Sequence, residues 1–351
     1  MRIVICSSGY SGYSVACWRS LSNRPDVNLK VYATRAEVPY DPDIVNCLDI
    51  RIVEPNDNSI IDEIIEFKPD IIDVGAWCIK SFLRVAFDKR LSRIKKLISI
   101  DTMWKGSLRQ RLARFRLMPL VHRLDGILVA GERGRQFALA IGFKPEQIYT
   151  GTYGYEETVF DRCYDERIKR YPQWPKRFCF IGRYVPIKGL ESFLEAYKIY
   201  HSRYGMSAWP LDCFGTGKLE NQLRATEGVV DHGFVQPKNL GNVLVDEGVF
   251  VFPSLHEPWG VALAEAAGAG LPLLCSAQVA SSIDLVRHLY NGYMFPAGNV
   301  KRIVSALFWI HNHSTELREM GERSRFYAGA YASSVWSRRW IDMATCILNG
   351  K

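Results

Sequence analysis

Val249-Phe250-Val251-Phe252-Pro253, followed after three residues by Glu257-Pro258-Trp259-Gly260-Val261-Ala262-Leu263-Ala264-Glu265, is the stretch that decides the architecture. A short apolar run closed by proline reads as a buried strand. Residues 261–269 are small or apolar apart from Glu265, so they read as a helix packed closely inside the protein, where a lone carboxylate is costly unless something binds it. Gly260, Val261 and Ala262 supply the first turn, whose free amides and positive dipole end favour an anion such as a phosphate. Glu257 lies just before that turn and Glu265 about two turns inside it, so the two acids could hold different parts of one ligand. The alternative is structural: Glu257 caps the helix and Glu265 pairs with an arginine.

The same alternation runs through the whole chain. Residues 2–6, 29–33, 70–74, 97–100 and 126–130 read as strands in the first half; 178–181, 211–214, 229–232, 249–252 and 272–275 do so in the second. Strands alternating with helical patterns, twice over, predict an α/β protein of two doubly wound parallel sheets. With 351 residues the chain has room for two domains. The charged, Pro- and Trp-containing segment 160–176 is the candidate linker, which sets domains at 1–160 and 177–330. A last helix, around 331–351, is expected to return to the first domain. Open parallel sheets bind ligands beyond the carboxyl ends of their strands, so two facing sheets would share an interdomain cleft.

Composition is that of a soluble protein, with 48% hydrophobic and 23% charged residues. Nine cysteines, scattered and never spaced CxxC, point to reduced core residues rather than a disulfide framework or a zinc site. Residues 1–6 are too short for a signal-peptide core, and no apolar run approaches a membrane span. The expected location is the cytoplasm, with any membrane contact peripheral, at the inner face of the cytoplasmic membrane. The net charge of +8 is uneven: residues 80–135 hold 15 Lys and Arg against 4 Asp and Glu, a local excess larger than that of the whole chain. Within this region residues 107–118 place Leu108, Leu112 and Phe115 at helical spacing among Arg109, Arg111, Arg114 and Arg116. Such a helix could lie on an anionic bilayer or hold an acceptor's phosphates; it could equally be a solvated basic face over a core stripe. No nucleic-acid recognition motif accompanies the charge.

Three further loops carry candidate chemistry. After the strand 178–181 come Gly182, Arg183 and, before the next helix, Lys188-Gly189; two cations converging at a strand end suit a diphosphate, the arginine by forked hydrogen bonds and the lysine as a point charge. Gly215-Thr216-Gly217 and Gly233-Phe234-Val235 follow the next two strands and would approach a nucleotide base or phosphate. In the first half, Ser8-Gly9-Tyr10-Ser11-Gly12 is either a phosphate-facing loop or a plain tight turn, and lacks the full dinucleotide fingerprint. Gly75-Ala76-Trp77 could floor an acceptor site, with Trp77 as plain core the alternative. Asp41-Pro42-Asp43 reads as a turn, not a metal site.

The ordered set Gly182-Arg183, Lys188-Gly189, Gly215-Thr216-Gly217, Gly233-Phe234, Glu257-Pro258-Trp259-Gly260, Glu265-Ala266 and Gly270-Leu271-Pro272 resembles the retaining nucleotide-sugar glycosyltransferases of family 4, in the subgroup with a Glu-Pro-Trp-Gly motif. The likeness is dense from about 178 to 300 and thin before 150. It implies the GT-B fold, two Rossmann-like domains facing a cleft, and transfer of a sugar from a nucleotide diphosphate donor, a uridine one, to a glycan or lipid-linked glycan in envelope or polysaccharide assembly. It implies that Glu265 holds the ribose hydroxyls and Glu257 the donor sugar, while Arg183, Lys188 and the amides at Gly260, Val261 and Ala262, beside Pro258 and Trp259, hold the diphosphate without a metal or other cofactor. Many relatives carry a histidine after a first-domain strand; here Asp101 stands in that region, matching the subgroup, and takes a sugar-contacting or catalytic role unless it caps a helix. A GT-B nucleotide-sugar epimerase and a non-catalytic glycan- or nucleotide-binding module are the rival readings.

Overall fold

The computed structural model describes residues 1–36 and 38–350. The chain forms two α/β units, one of Met1–Tyr155 with Tyr331–Lys351 and one of Glu156–Ala330. In the first unit β1 (Arg2–Ser7), α1 (Gly12–Ser22), β2 (Asn28–Ala33), β3 (Ile50–Ile52), α2 (Ile60–Phe67), β4 (Ile71–Asp73) and α3 (Lys80–Phe87) come in turn. β5 (Lys95–Ile100), α4 (Leu108–Val121), β6 (Gly126–Val129), α5 (Gly131–Ile141) and β7 (Ile148–Thr150) follow. All seven strands are parallel in the order β3-β2-β1-β4-β5-β6-β7.

Alternation along these strands builds a core on each face of the sheet. Val4, Cys6, Ile72, Val74, Ile98, Ile100, Ile127 and Val129 point to one side, against residues of α2, α3 and α5. Ile3, Ile5, Val31, Ile71, Leu97 and Leu128 point to the other. That second face is closed by α1 and by the last helix of the chain, α14 (Ser333–Leu348), through Trp336, Trp340, Met343 and Ile347.

The second unit contains α6 (Glu157–Arg170), β8 (Phe178–Ile181), α7 (Leu190–Tyr204), β9 (Leu211–Phe214), α8 (Glu220–Arg224), β10 (Val229–Asp231) and α9 (Pro237–Leu244). It continues through β11 (Val249–Phe252), α10 (Val261–Gly268), β12 (Leu273–Ser276), α11 (Ser282–Leu285), β13 (Gly292–Phe295), α12 (Val300–Asn312) and α13 (Leu317–Ala328). Its six strands are also parallel, in the order β10-β9-β8-β11-β12-β13. Every residue of β11 is buried, as a strand covered by helices on both faces requires.

The segment expected as a linker is different. Residues 157–170 form helix α6, whose Phe160, Cys163 and Arg167 are buried in the second unit, so the charges seen in the sequence are its solvent face. Pro42–Val45 form a 3₁₀ turn entered from Asp41, as the sequence suggests. All nine cysteines are free thiols, and six of them are buried. Among the described residues no helix is long and apolar enough to cross a membrane.

Arg167 explains how α10 is held. Its guanidinium is completely buried and donates to the carbonyls of Leu244, Val245 and Ala269, the last being the C-terminal cap of α10. Arg325 from α13 donates to the neighbouring carbonyl of Gly268 at 3.1 Å and to Asp161. Two cations thus sit at the negative end of the helix and satisfy carbonyls the helix itself cannot. Leu244 O also accepts from the amide of Glu247, so Arg167→Ala should strand the buried carbonyls of Val245 and Ala269 and destabilise the protein by about 2 kcal/mol or more, at roughly 1–3 kcal/mol per stranded group. Urea unfolding of the variant measures this, and a loss under 1 kcal/mol would mean that water replaces the guanidinium without penalty.

Candidate functional site

Strand order reverses between β8 and β11 in the second unit and between β1 and β4 in the first. At such a point the loops leaving neighbouring strands diverge to opposite faces and open a crevice at their carboxyl ends. The sequence candidates gather at these two places.

In the second unit, the loop after β8 carries Arg183 and Lys188 and the loop after β11 carries Glu257. The two loops touch: the amide of Leu255 donates to the carbonyl of Ile187 at 2.9 Å. Lys188 Nζ is paired with Glu257 Oε2, both side chains being largely buried, and the ammonium also lies 5.3 Å from the centre of the Phe252 ring. Ser254 donates to the same carboxylate oxygen at 3.5 Å. Glu257 to Trp259 is pinned from behind, since Glu257 N donates to Gln278 O while Ala280 N and Ser281 N donate to the carbonyls of Glu257 and Trp259. Trp259 is therefore a buried anchor, and Pro258 is half-buried.

Gly260 then starts α10 with φ of +91°, a left-handed conformation that a side chain would strain; an added Cβ would also lie 2.7 Å from the Phe252 ring. No side chain caps this helix end and no acid lies in its first turn. Val261 and Ala262 are half-buried there. Arg183 stands exposed at the end of β8.

Glu265 is half-buried on α10. Among the described residues its carboxylate has no hydrogen bond or ion pair. Loss of water pushes its pKa up to about 7, and the charge of Glu156 adds to the rise. The structural alternative of an arginine partner is thereby answered: the arginines beside α10, Arg167 and Arg325, are engaged with the backbone carbonyls of Ala269 and Gly268.

The glycines after β9 have a different cause from ligand approach. A Cβ on Gly215 would lie 1.9 Å from the carbonyl oxygen of Gly182, and one on Gly217 would lie 2.5 Å from that of Tyr184. They let the loops after β8 and β9 meet, with Tyr184 N donating to Thr216 O and Gly215 N to Gly233 O. Phe234 and Val235 follow, half-buried in the loop after β10.

The first unit has a cavity of about 270 Å³ at its own reversal point. Ser7, Ser8 and Tyr13 line it beside β1, Trp77 after β4 and Asp101 after β5. Gly9 and Gly12 flank this lining: Gly12 opens α1, which Ser11 and Ser14 cap reciprocally. Trp77 serves the core and the cavity together, packing on Phe137 at 6.1 Å while facing the open space. Asp101 is no helix cap, because α4 begins seven residues later under Ser107. Tyr153 donates its hydroxyl to Asp101 Oδ2 at 3.1 Å, and Trp336 of α14 fixes that loop by donating to Thr152 O at 2.9 Å.

Sequence reasoning missed Asp73, which also lines the cavity. Its carboxylate is buried and accepts from the amides of Gly75 and Ser99, both at 3.0 Å, and from the Ser99 hydroxyl. Burial pushes its pKa up to about 6 against the opposing effect of those bonds. The available signal was an acid inside an otherwise apolar strand run. Among the described residues no three His, Cys, Asp or Glu lie where they could hold a metal ion.

Two parallel-sheet units of this topology, each with its candidate residues at the strand-order reversal, define the GT-B fold. Residues 175–313 match the family model of the glycosyl transferases group 1. An uncharacterized glycosyltransferase of Methanocaldococcus jannaschii is 29% identical over 144 residues, 37% of this chain and 36% of that protein, so the match spans about a third of the relative's length. HepE of Anabaena, crystallised with UDP, superposes with a TM-score of 0.75 at 12% identity over 98% of this chain and 100% of that one. The lipopolysaccharide outer core galactosyltransferase WaaB in its apo form gives 0.66 at 12% identity over 98% and 99%.

The unpaired acid gives a pH signature. Unfolded, Glu265 titrates near 4.5; folded, near 7, so between these values the folded state holds one more proton and stability falls as pH rises. Glu265→Gln should flatten that decline in urea midpoints measured from pH 4.5 to 7, whereas an unchanged slope would place the titration elsewhere.

Proposed function

We propose that the chain is a retaining, metal-independent glycosyltransferase that moves a sugar from a UDP-sugar to a glycan or lipid-linked glycan. The observation that carries this reading is Glu265, a half-buried acid on α10 with no hydrogen bond or ion pair among the described residues, set behind a helix start that has no capping side chain. A diol satisfies a carboxylate by donating two hydrogen bonds, so the ribose of a nucleotide is the natural occupant. Arg183, Lys188 and the amides of Gly260, Val261 and Ala262 take the diphosphate. Glu257, beside Lys188, faces the first sugar hydroxyls beyond the phosphate, and Phe234 with Val235 borders the base. The match of residues 175–313 to glycosyl transferases group 1 and the UDP held by the HepE structure support this assignment.

In the reaction, the acceptor oxygen bonds to the anomeric carbon on the face from which the nucleotide leaves, as the bond from that carbon to the phosphate oxygen breaks. The proton of the acceptor hydroxyl passes to the departing phosphate, which leaves as UDP. The work of the protein is to place the two substrates and to stabilise the charge that grows on the diphosphate, through preorganised cations and amides. These groups do the task a divalent ion would otherwise perform. The cavity of the first unit, with Trp77, Tyr13, Asp101 and Asp73, offers aromatic faces and acceptors for hydroxyls, the chemistry a glycan requires. The WaaB likeness favours an envelope glycan as acceptor.

Thermal shift tests the donor site directly, since a ligand bound to the folded state raises the melting temperature. UDP should stabilise the wild type, and Glu265→Ala should remove most of that shift. Arg183→Ala should weaken UDP by about 10- to 100-fold and uridine hardly at all, a charge-assisted bond contributing about 1.5–3 kcal/mol. Equal losses for the two ligands would argue against a diphosphate contact. With a UDP-sugar and a glycan acceptor, the product should keep the donor's anomeric configuration by NMR and form at the same rate in excess EDTA; inversion, or arrest by the chelator, would refute the mechanism.

A further inference from the structure

Helix α4 has two apolar faces on opposite sides, and the protein uses only one. Ala113, Leu117 and Val121 pack against the core of the first unit, and Leu120 is buried beside them. Leu108, Leu112 and Phe115 are 76%, 64% and 71% exposed, and Met118 is exposed as well. At about 100° per residue, Leu108, Leu112 and Phe115 fall within roughly 60° of one another and about 180° from Leu117. The sequence stripe that could have been core is therefore outside, while a second stripe, half a turn out of phase, does the packing.

The flanks of the exposed stripe are cationic. On the same wheel Arg111 and Arg114 lie to one side, and Arg109 and Arg116 to the other. All four are exposed, none has an ion-pair or hydrogen-bond partner among the described residues, and α4 contains no acidic residue. Thus three large apolar side chains stand in water between two rows of uncompensated charge.

We propose that α4 docks the protein on an anionic lipid surface, lying in the plane of the interface with Leu108, Leu112 and Phe115 among the acyl chains and the four arginines at the lipid phosphates. Only this occupant satisfies both halves of the face. A nucleic acid would pair with the arginines and leave the apolar stripe in water. A second copy of the helix would cover the stripe and set arginine against arginine. A bilayer with negative headgroups takes apolar side chains and cations at adjacent depths. The inference rests on α4 alone and stands apart from the reading of the donor site.

Flotation with vesicles of phosphatidylglycerol and phosphatidylcholine in equal parts, and with phosphatidylcholine alone, tests the proposal. Wild-type protein should float with the first and far less with the second. Leu112→Ser/Phe115→Ser and Arg109→Gln/Arg111→Gln/Arg114→Gln/Arg116→Gln should each lower partitioning by about tenfold or more, since both interactions are needed for stable attachment. Because all of these side chains are exposed, melting temperature and the UDP-induced shift should be unchanged, which separates failure here from failure at the donor site. Equal flotation of the wild type and either variant would overturn the proposal. So would a wild-type dimer in sedimentation velocity that Leu112→Ser/Phe115→Ser converts to monomer, or duplex DNA binding that the arginine variant abolishes while vesicles are ignored.

Discussion

Helix α10 is neutralised at one end only, and the second unit is organised around that asymmetry. At its C-terminus two arginines from α6 and α13 occupy the carbonyls of Ala269 and Gly268. At its N-terminus Gly260 turns the chain without a capping side chain. The helix is short, so its ends matter more than its length: the partial charges reside on the last unsatisfied groups. With the negative end answered by the protein, the positive end is left facing the point where β8 and β11 part. A helix start of this kind favours an anion, and it is where the proposed reading puts the diphosphate.

The strand-order reversal then decides which side chains can join it. Loops leaving β8 and β11 must separate to opposite faces of the sheet, yet they remain in contact at their bases through Leu255 and Ile187. This brings Lys188 and Glu257, 69 positions apart in sequence, into an ion pair. The first unit repeats the logic with other chemistry. Its reversal between β1 and β4 opens a cavity lined by Trp77, Asp73 and Asp101, with aromatic rings where the second unit has cations.

Much of this was legible in the sequence because β-α alternation is a physical signature of covered parallel sheets. The three strands that were not anticipated, β3, β7 and β13, each lie at an edge of their sheet. Edge strands are short and half-exposed, so Ile50–Ile52 and Ile148–Thr150 show no buried run to detect. Segment 160–176 misled for the opposite reason: most of α6 faces solvent, and its Phe160, Cys163 and Arg167 are spaced too sparsely to mark a core helix against so much charge. For the candidate site, Lys188, Glu257 and Glu265 were readable from position on their elements. Asp73 and Arg167 were not, since a buried charged residue is recognised by its hydrogen-bond partners, and those come from distant parts of the chain.

Glu257 and Glu265 show how little residue type alone determines. They are the same acid, eight positions apart on one segment, yet the first meets an ammonium and a hydroxyl while the second meets no donor among the described residues. The ammonium beside Glu257 holds that carboxylate in place, whereas burial, with the charge of Glu156, pushes the pKa of Glu265 up to about 7. On the proposed reading this division suits one elongated ligand. Hydroxyls of a ribose would donate to the ionised carboxylate of Glu265 and so lower a pKa that burial raises. Lys188 is already held where a phosphate would lie, so little ordering remains to be done when one binds. On that reading the two acids would act at different moments: Glu257 keeps the cation in place before a donor arrives, and Glu265 would gain its partners only when the donor is there.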